Sequence, residues 1–570
     1  MNKSLLLISA ALATTATAYG QSAIDALRIS QSDMKGTARF MSMGGAFGAL
    51  GGDLSSLSQN PAGIGVYRSN DIGFTLDLDL QSASTNSQGN KIDMTQTKFL
   101  LNNIGAVLTM RLPSMTFPNV NFGFTYNKGA SFNRQYAGQI PQLNTSLSNF
   151  IAGMTNGEGI QAGDLHATDG FDPYVDPYAG NLYAPWISIL GYDGWLINPS
   201  GTGDNTQWFG QWDKGTSGTG SYNVTEKGSV DEFNIVIGGN ISNVVYWGMN
   251  FDITSLNYTM ESRWGESLSN AYVSTKNGNY VGNAAWDLRN YYNINGTGFN
   301  YQLGLILKPI QELRIGFAFH TPTWYSLTEK FGGSVDYEYE DMSGGTDTNG
   351  GTLGYNDYDF RTPWKIIGSV AGVIGNNFIL SFDYEWQNFN KMKFSKASSY
   401  GGWGGGDPWY GDDWGYDYSS SPKPATRAFA DNNDPFYDQN SDIEYYYQNT
   451  HTFRLGAEYR VTPAFSLRAG YSYSTSPVKK QVRDGKDFVY TSGTLPNYRL
   501  DNHTNYVTCG FGYRYQQFYL DMAYVYKNIS STYHAFSPDV DYENNISYPS
   551  PQSKLSLKNS QVILTAGFRF

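Results

Sequence analysis

The sequence predicts an all-β protein, a 14-stranded antiparallel transmembrane β-barrel with an N-terminal hatch, or plug, in its lumen. Three observations predict this fold. The 570 residues include 64 glycines, 16% aromatic residues and only 15% charged residues, which suits a sheet with one face in lipid and aromatic girdles at both borders. About fourteen segments alternate apolar with polar residues, as transmembrane strands do. The connections between them alternate between short and long, which is typical of outer-membrane barrels.

The first twenty residues have the features of a secretory signal peptide. A lysine precedes a short apolar core at residues 5–13, and Ala18-Tyr19-Gly20 provides small residues at the expected cleavage site. The core is too short to span a bilayer, and no later apolar run reaches the ~18 residues that a transmembrane helix needs. We therefore divide the chain into a signal peptide at 1–20, a hatch at 21–69 and a barrel at 70–570, and expect it in the cell outer membrane.

Composition and charge exclude several functional classes. The formal net charge of −12 argues against a nucleic-acid partner. Cys509 is the only cysteine, so an intrachain disulfide and a cysteine-based zinc site are excluded. The five histidines show no metal-ligand spacing, and no nucleophile-elbow motif occurs. We therefore expect no cofactor, no metal and no enzymatic activity; the acidic cluster of the 395–444 loop fits no calcium-loop spacing.

Residues 38–67 form an apolar, glycine-rich stretch with neither a helical nor a strand period. Near its end lies Asn60-Pro61-Ala62, where proline fixes φ and the preceding asparagine is biased away from the helical region, so a rigid turn should form. Because the segments after it alternate like strands, we predict that this stretch folds into the lumen as the hatch. An ordinary N-terminal coil is the alternative.

The predicted strands begin at residue 70. Ile72 and Phe74 lie on the face that would meet lipid, and Asp77 lies on the lumen face. We predict strands at 70–81, 98–111, 120–134, 227–240, 244–260, 288–308, 313–334, 355–374, 377–394, 445–460, 465–478, 500–515, 518–530 and 557–570. Long connections fall near 82–97, 135–226, 261–287, 335–354, 395–444, 479–499 and 531–556. Short turns would face the periplasm and long loops the outside.

The last predicted strand ends the chain on an aromatic residue. Its apolar face consists of Val562, Leu564, Ala566, Phe568 and Phe570. A final amphipathic strand ending on phenylalanine resembles the signal that the barrel-assembly machinery reads. We therefore expect this machinery and outer-membrane lipid as partners.

The strand number, the hatch and its Asn60-Pro61-Ala62 motif together resemble the FadL family of outer-membrane transporters for long-chain fatty acids and other hydrophobic compounds. Three further segments resemble the family's strands and hairpins: FGFTYNKGASFNRQYAGQ at 122–139, GTGFNYQLGLILKPIQELRIGFAFHTPTW at 296–324 and HTFRLGAEYRVTPAFSLRAGYSYSTSP at 451–477. The resemblance covers nearly the whole mature chain and is weakest in the loops.

The resemblance implies passive uptake of a hydrophobic small molecule, such as a long-chain fatty acid. Extracellular loops would capture the ligand, the hatch would hold it, and rearrangement of the hatch would release it. In the family, substrate is thought to leave sideways through a gap beside a kinked strand, and Gly129 is the candidate for that kink. The segment before the barrel lacks a motif for an energised receptor.

The loop at 135–226 is too apolar to be purely solvated, which predicts a capture surface for an apolar ligand. The capture candidates are Phe150, Ile151, Met154, Leu182, Tyr183, Trp186, Ile187, Leu190 and Trp195. Alternatively, these side chains pack the loop onto itself over the barrel mouth.

Two further sets of residues are candidates for holding the ligand. The hatch-pocket candidates are Met41, Met43, Phe47, Leu50, Leu54, Leu57 and Ile64. Methionine adapts to varied ligand shapes, but the same residues could simply pack the hatch against the wall. Candidate partners for a ligand carboxylate are Arg314, Arg454 and Arg468, which could equally neutralise Asp383, Glu385 and Glu458.

A surface protein without transport activity is the second hypothesis, because tyrosine-rich loops could bind host or neighbouring-cell partners. The interior of the barrel distinguishes the two. An apolar path from the loops to the hatch favours transport, and a lumen filled by charged pairs favours adhesion.

Overall fold

The computed structural model describes residues 21–168, 171–174, 184–201, 206–375, 377–397, 436–485, 487–491, 493–541 and 546–570. The predicted signal peptide and the acidic cluster of the 395–444 loop lie outside the described residues. Leu182 and Tyr183, two of the capture candidates, also lie outside them.

Within the described residues, fourteen antiparallel strands close into one barrel, which confirms the predicted fold class. β14 pairs with β1 from Asp71↔Arg569 to Asn86↔Lys554, so the sheet has no free edge at its seam. The strands are β1 (Asp71–Ser87), β2 (Asn90–Arg111), β3 (Asn119–Ser131, continued by Arg134–Ile140), β4 (Ser217–Ile241), β5 (Val245–Thr275), β6 (Gly278–Leu307), β7 (Leu313–His320, continued by Trp324–Tyr339), β8 (Gly354–Arg361, continued by Lys365–Ile374), β9 (Phe378–Asn388, followed by Lys393–Lys396), β10 (Asn449–Arg460), β11 (Phe465–Ser474), β12 (Tyr498–Tyr515), β13 (Phe518–His534) and β14 (Gln552–Arg569).

Helices precede the first strand and occur in the long loops. They are α1 (Ala23–Ser30), α2 (Ala38–Ser42), α3 (Leu147–Gly157), α4 (Ala162–Leu165), α5 (Trp186–Asp193), α6 (Tyr437–Tyr446) and α7 (Lys480–Arg483), with 3₁₀ helices at Ser55–Ser58, Pro61–Val66, Thr348–Gly351 and Phe389–Lys391. Short additional strands lie at Asn198–Pro199, Trp208–Phe209, Ser343–Asp347, Asp539–Asp541 and Ile546–Tyr548. None of the described helices combines the length and the apolar character that a membrane-spanning helix needs.

Side chains alternate across the barrel wall as the sequence predicted. Ile72 and Phe74 on β1 are about half exposed on the outer face. Asp77, further along the same strand towards the loops, is fully buried in the lumen. The outer surface therefore presents apolar side chains to lipid and the inner surface presents polar ones, as a transmembrane barrel requires.

Two of the predicted long connections are wrong, because they consist mostly of strand. Residues 82–97 contain the end of β1, a turn at Gln88 and Gly89, and the start of β2. Residues 261–287 likewise contain the ends of β5 and β6. On these extensions outward side chains such as Lys91 and Asp93 are polar and exposed, so the apolar alternation ends although the strand continues. These hairpins extend beyond the lipid-facing part of the barrel.

The segment at 21–70 runs through the lumen from the loop side to the turn side. At the loop side, the Tyr447 hydroxyl donates a hydrogen bond of 2.6 Å to the Ala23 carbonyl oxygen. At the turn side, Arg68 donates one of 2.8 Å to the side chain of Asn243 in the β4–β5 turn. The N-terminal segment therefore lies inside the barrel, with α1 in the outer half and residues 38–67, which we call the hatch body, in the inner half.

The hatch body rests directly on lumen-facing glycines, which we call the glycine wall (Gly248, Gly304, Gly316, Gly456 and Gly470). A Cβ atom on Gly248 would lie 2.1 Å from the Pro61 carbonyl oxygen, and one on Gly304 would lie 2.0 Å from Asn60 Oδ1. At Gly316, Gly456 and Gly470 the corresponding distances to hatch backbone atoms are 2.2–2.4 Å. No side chain fits between hatch and wall at these five positions.

Replacing Gly248 with valine should therefore displace the hatch body and destabilise the protein by about 1–3 kcal/mol, the usual cost of overpacking. Two measurements test this. One is the unfolding temperature of the barrel, seen as the loss of its compact mobility in detergent electrophoresis, and the other is the protease sensitivity of the hatch. Gly368→Val is the control, because a Cβ there meets no atom within 4 Å. Equal melting and equal protease sensitivity of the two variants would contradict this account.

Candidate functional site

Asn60-Pro61-Ala62 forms the tightest contact between hatch and wall. Asn60 Oδ1 accepts the Ala62 N–H at 3.1 Å, and Asn60 Nδ2 donates to the Gly48 carbonyl oxygen at 2.6 Å. Pro61 is the first residue of the 3₁₀ helix Pro61–Val66. Proline lacks a backbone N–H, but at this position the helix would leave that N–H without a partner anyway. The asparagine thus ties two parts of the hatch body together at the point where it meets Gly304.

The seven hatch-pocket candidates are all buried. Met41, Met43, Phe47 and Leu50 pack against side chains of the wall that include Ala371 and Val525. Leu54, Leu57 and Ile64 pack against Val107 and Val236 on the other side of the barrel. In this arrangement the seven side chains seal the hatch body against the wall, and a role in ligand binding remains a prediction.

Above the hatch body, α1 lies in a large cluster of buried aromatic side chains, which we call the aromatic chamber. Ala23, Ile24 and Leu27 belong to the same apolar cluster, and the Arg28 guanidinium lies 4.7 Å from the centre of the Tyr258 ring. Beside α1 a cavity of only about 20 Å³ is left, room for about one water. The chamber is lined by Phe132, Tyr136, Tyr222, Tyr258, Trp264, Tyr292, Tyr358, Tyr447, Tyr498 and Tyr533. α1 therefore fills the aromatic chamber almost completely.

The described capture candidates pack over the mouth of the barrel and join the aromatic chamber. Phe150 of α3 lies with its ring 5.8 Å from Phe488 and 5.6 Å from Phe536. Trp186 of α5 lies 4.9 Å from Phe331. Ile151, Ile187 and Leu190 are buried in the same cluster, and Met154 and Trp195 are partly buried against it. The loops therefore close the chamber from outside, and a role in capture remains a prediction.

The three candidate carboxylate partners lie around the hatch body rather than in the chamber. Arg454 pairs with Glu385 at 2.9 Å, and Arg468 bridges Glu458 at 2.7 Å and Asp521 at 2.5 Å. Arg314 donates to the Leu50 carbonyl oxygen at 2.7 Å. Two of the three thus neutralise wall carboxylates, as the alternative interpretation expected.

Sequence reasoning missed the charged group that does border the chamber. Arg134 pairs with Glu226 at 2.8 Å, and Arg499 lies 3.6 Å from the same carboxylate and 3.0 Å from Asp501. The Tyr258 hydroxyl donates to Glu226 at 3.2 Å. Arg499 falls in a segment predicted as a loop, so nothing in the sequence placed it in the lumen.

A side window interrupts the wall between β2 and β3. The two strands pair only from Arg111↔Asn119 to Asn103↔Asn127, whereas β2 pairs with β1 as far as Asn90. The continuation of β3 bends into the lumen, where the Ala137 carbonyl oxygen accepts a hydrogen bond of 2.6 Å from Thr85 on β1.

Hydrogen bonds between amide groups close both ends of the side window. At the lower end, Asn103 Nδ2 donates to Asn127 Oδ1 at 2.5 Å. At the upper end, Gln88 Nε2 donates to the Gln142 carbonyl oxygen at 2.8 Å, and Gln88 Oε1 accepts the Gln142 N–H at 3.1 Å. Behind the window lies a cavity of about 30 Å³, too small for anything larger than about one or two waters.

Each edge of the side window carries a bulge where pairing ends. The pairing of β3 with β4 shifts register at Gly129, which places a bulge at the residue proposed for the kink. The pairing of β2 with β1 skips Asn102, the residue next to the last paired rung. The two bulges let the strands diverge at the same height.

Two hatch carboxylates have shifted pKa values. Burial would raise the pKa of Asp33, but the ammonium of Lys527, with Lys35 behind it, holds that pKa below its ordinary value. Burial raises the pKa of Asp53, and the nearby Arg39 guanidinium only partly offsets this. Asp33 is therefore a charged contact at any pH near neutrality. In the described part of the chain, no three His, Cys, Asp or Glu side chains group as a metal site would require.

Comparison with known proteins found one matching family and several similar solved structures. The family model described as outer membrane protein transport protein (OMPP1/FadL/TodX) matches residues 213–569. The crystal structure of a Pseudomonas aeruginosa FadL homologue is 12% identical, with 95% of this chain and 99% of that chain covered and a TM-score of 0.49. That of the Ralstonia pickettii toluene transporter TbuX is 12% identical, with 94% and 99% covered and a TM-score of 0.44. No curated protein sequence matches the chain.

The family match spans more than half of the chain and includes most of the barrel. It agrees with the resemblance that the strand pattern and the hatch motif suggested, and it assigns transport rather than enzymatic catalysis. The protein belongs to the outer membrane transport protein family (OMPP1/FadL/TodX).

Proposed function

We propose that this protein carries hydrophobic small molecules, such as long-chain fatty acids, passively across the outer membrane. The ligand enters through the loops that cover the mouth, replaces α1 in the aromatic chamber and leaves sideways through the side window into the membrane. The observation that carries the proposal is the early end of β2–β3 pairing, because a closed barrel otherwise pairs every strand along its length.

The structure favours α1, rather than the hatch body, as the part that moves. The hatch body touches wall backbone at five glycines, so a shift of even 1 Å would need the wall to move as well. α1 has eight residues, too few to be stable as an isolated helix. Its displacement costs the apolar contacts of Ala23, Ile24 and Leu27, which an incoming apolar ligand would replace. It also costs the contact of Arg28 with Tyr258 and the hydrogen bond of Tyr447 to the Ala23 carbonyl oxygen.

The different composition of the outer and inner halves of the lumen supports the proposal. Aromatic side chains dominate the outer half, and the ion pairs of Arg454 and Arg468 lie around the hatch body. A carboxylate ligand would have to compete with Glu226 for Arg134 and Arg499, whereas an uncharged hydrocarbon would not. Uptake of a fatty acid and uptake of a hydrocarbon are therefore separate measurements.

The remaining proposals concern export and assembly. We infer that residues 1–20 direct export and that the terminal strand, with its apolar face ending at Phe570, is read by the barrel-assembly machinery. Half-exposed apolar side chains such as Leu564 and Phe570 support this, because they leave the last strand amphipathic.

Cross-linking the side window shut should stop uptake. In a Cys509→Ser background, Gln96→Cys and Asn133→Cys place two thiols on the walls of the small cavity behind the window. A short thiol cross-linker should reduce uptake of toluene and of oleate into vesicles to the rate of protein-free vesicles, and reduction should restore it.

The control pair is Ser255→Cys with Thr297→Cys, which are already direct neighbours on β5 and β6. Cross-linking this pair should leave uptake unchanged. If uptake continues at the parental rate with the window cross-linked, lateral release is wrong.

Replacing Asn60 with alanine should loosen the hatch body while the barrel still assembles. The variant loses the bonds to Gly48 and Ala62, a cost of about 1–3 kcal/mol for buried groups left unsatisfied. We expect faster hydrogen exchange in the hatch, a measurable leak of a small sugar in liposome swelling, and altered ligand uptake. Asn295→Ala on β6 is the control. If the Asn60 variant leaks no sugar and its hydrogen exchange and ligand uptake are unchanged, this turn has no sealing role.

A further inference from the structure

Two carboxylates face a cavity in the lumen at the end of α1. The cavity has a volume of about 100 Å³, which is room for several waters. It is lined by Glu232 of β4 and Asp252 of β5, and by Ile29 and Ser30 from the last turn of α1. Glu232 pairs with Thr254 in the register of β4 with β5, so the two acidic residues are diagonal neighbours on the lumen face.

The two carboxylates lack partners of opposite charge. Among the residues that the structure describes, neither Glu232 nor Asp252 forms an ion pair. Lys365 also lines the cavity, but its ammonium lies 3.7 Å from Glu385 and pairs with that carboxylate instead. Uncompensated charge in a medium of low polarity is strongly unfavourable. The two carboxylates therefore need either protons or a cation.

Neighbouring side chains hold Asp252 so that one of its oxygens stays free. Asn300 Nδ2 donates to Asp252 Oδ2 at 2.7 Å, and Thr254 Oγ1 donates to the same oxygen at 3.2 Å. Asp252 is 1% exposed, and its Oδ1 has no hydrogen-bond partner in the described part of the chain. Hydrogen bonds that fix a carboxylate while leaving one oxygen free are typical of the surroundings of a bound metal ion.

The end of α1 brings further oxygen atoms to the same cavity. Ser30 is 8% exposed, and its hydroxyl likewise has no partner among the described residues. The last carbonyl groups of a helix have no partner within the helix and form the negative end of its dipole. Hydroxyl and carbonyl oxygens thus lie beside carboxylates at this point, and these are the ligands that calcium prefers.

The cavity does not suit a metal ion that prefers nitrogen or sulfur. Its described lining includes no cysteine and no methionine. His320 lines it as well, but His320 Nε2 forms a hydrogen bond of 2.9 Å with the Gln59 carbonyl oxygen. Calcium accepts six to eight oxygens in a flexible arrangement, whereas magnesium demands a near-ideal octahedron. Oxygens that come from a helix and two strands therefore favour calcium.

We propose that Ser30, Glu232 and Asp252 form a binding site for one calcium ion, which fastens the end of α1 to β4 and β5. The charge of the ion matches that of the two carboxylates. Carbonyl groups of the last turn of α1 and water complete its oxygen ligands. The sequence gave no sign of this site, because the three residues come together only in the folded barrel. The site does not depend on the proposed uptake of apolar molecules.

Equilibrium dialysis against calcium counts the ions that the full-length protein binds in detergent. Glu232→Gln and Asp252→Asn remove one charge each and keep the size of the side chain, so the barrel should still fold. We expect each variant to bind one calcium ion fewer per chain, or to bind that ion at least about tenfold more weakly. Sodium chloride at about 0.15 M screens non-specific attraction of calcium to the acidic surface.

Asp71→Asn is the matched control for the loss of a lumen carboxylate. Asp71 is also buried, but Arg569 pairs with it at 2.9 Å, so its charge is already neutralised. This control should bind as many calcium ions as the parental protein. If Glu232→Gln and Asp252→Asn also bind as many, with unchanged affinity, the proposal is wrong and protons neutralise the two carboxylates.

Hydrogen exchange tests the position of the ion. Calcium should slow amide exchange in α1 of the parental protein and of the Asp71 control, because the bound ion joins the last turn of the helix to the wall. It should leave exchange in α1 unchanged in Asp252→Asn. Unchanged exchange in α1 of the parental protein at saturating calcium would overturn the placement of the ion beside Ser30.

Discussion

The structure depends on one contact, the meeting of hatch backbone and wall backbone at the glycine wall. Cβ atoms at Gly248 or Gly304 would overlap Pro61 or Asn60 by more than 1 Å relative to ordinary contact. The contact fixes the hatch body near the short turns and blocks the direct path to the periplasm. A transported molecule therefore needs either a moving hatch body or another exit, and the exit that we propose is the side window between β2 and β3.

That exit has an energetic requirement of its own. In a membrane, a backbone group without a partner costs several kcal/mol. β2 is unpaired on its β3 side from residue 90 to residue 102, and residues 98–102 of this stretch lie in the lipid-facing part of the barrel. Amide side chains close the two ends of the window, and Asp33 caps the bulge at Gly129. The N-terminal segment thus contributes to the wall as well as filling the lumen.

Much of the fold was predictable because lipid imposes a simple rule on the sequence. Outward residues must be apolar inside the membrane, so side chains such as Ile72 and Phe74 marked the strands. This rule applies only to residues that face lipid. The ends of the β1–β2 and β5–β6 hairpins lie beyond the lipid and were therefore predicted as loops. The hatch motif was visible in Asn60-Pro61-Ala62. The glycine wall and the contacts of Lys35 and Asp33 with the barrel wall were not visible. Lys35 and Asp33 lie about 40 and 490 residues from their partners, and pairing such distant residues requires the register of the whole barrel.

On the proposed route, α1 competes with the ligand for the aromatic chamber as part of the same chain. Such a tethered competitor acts at a high effective concentration whatever the ligand concentration. The ligand must therefore bind the chamber better than α1 does to enter it, and the return of α1 helps to expel it. Transport then follows the ligand gradient, because on this route the ligand and α1 exchange places in the chamber.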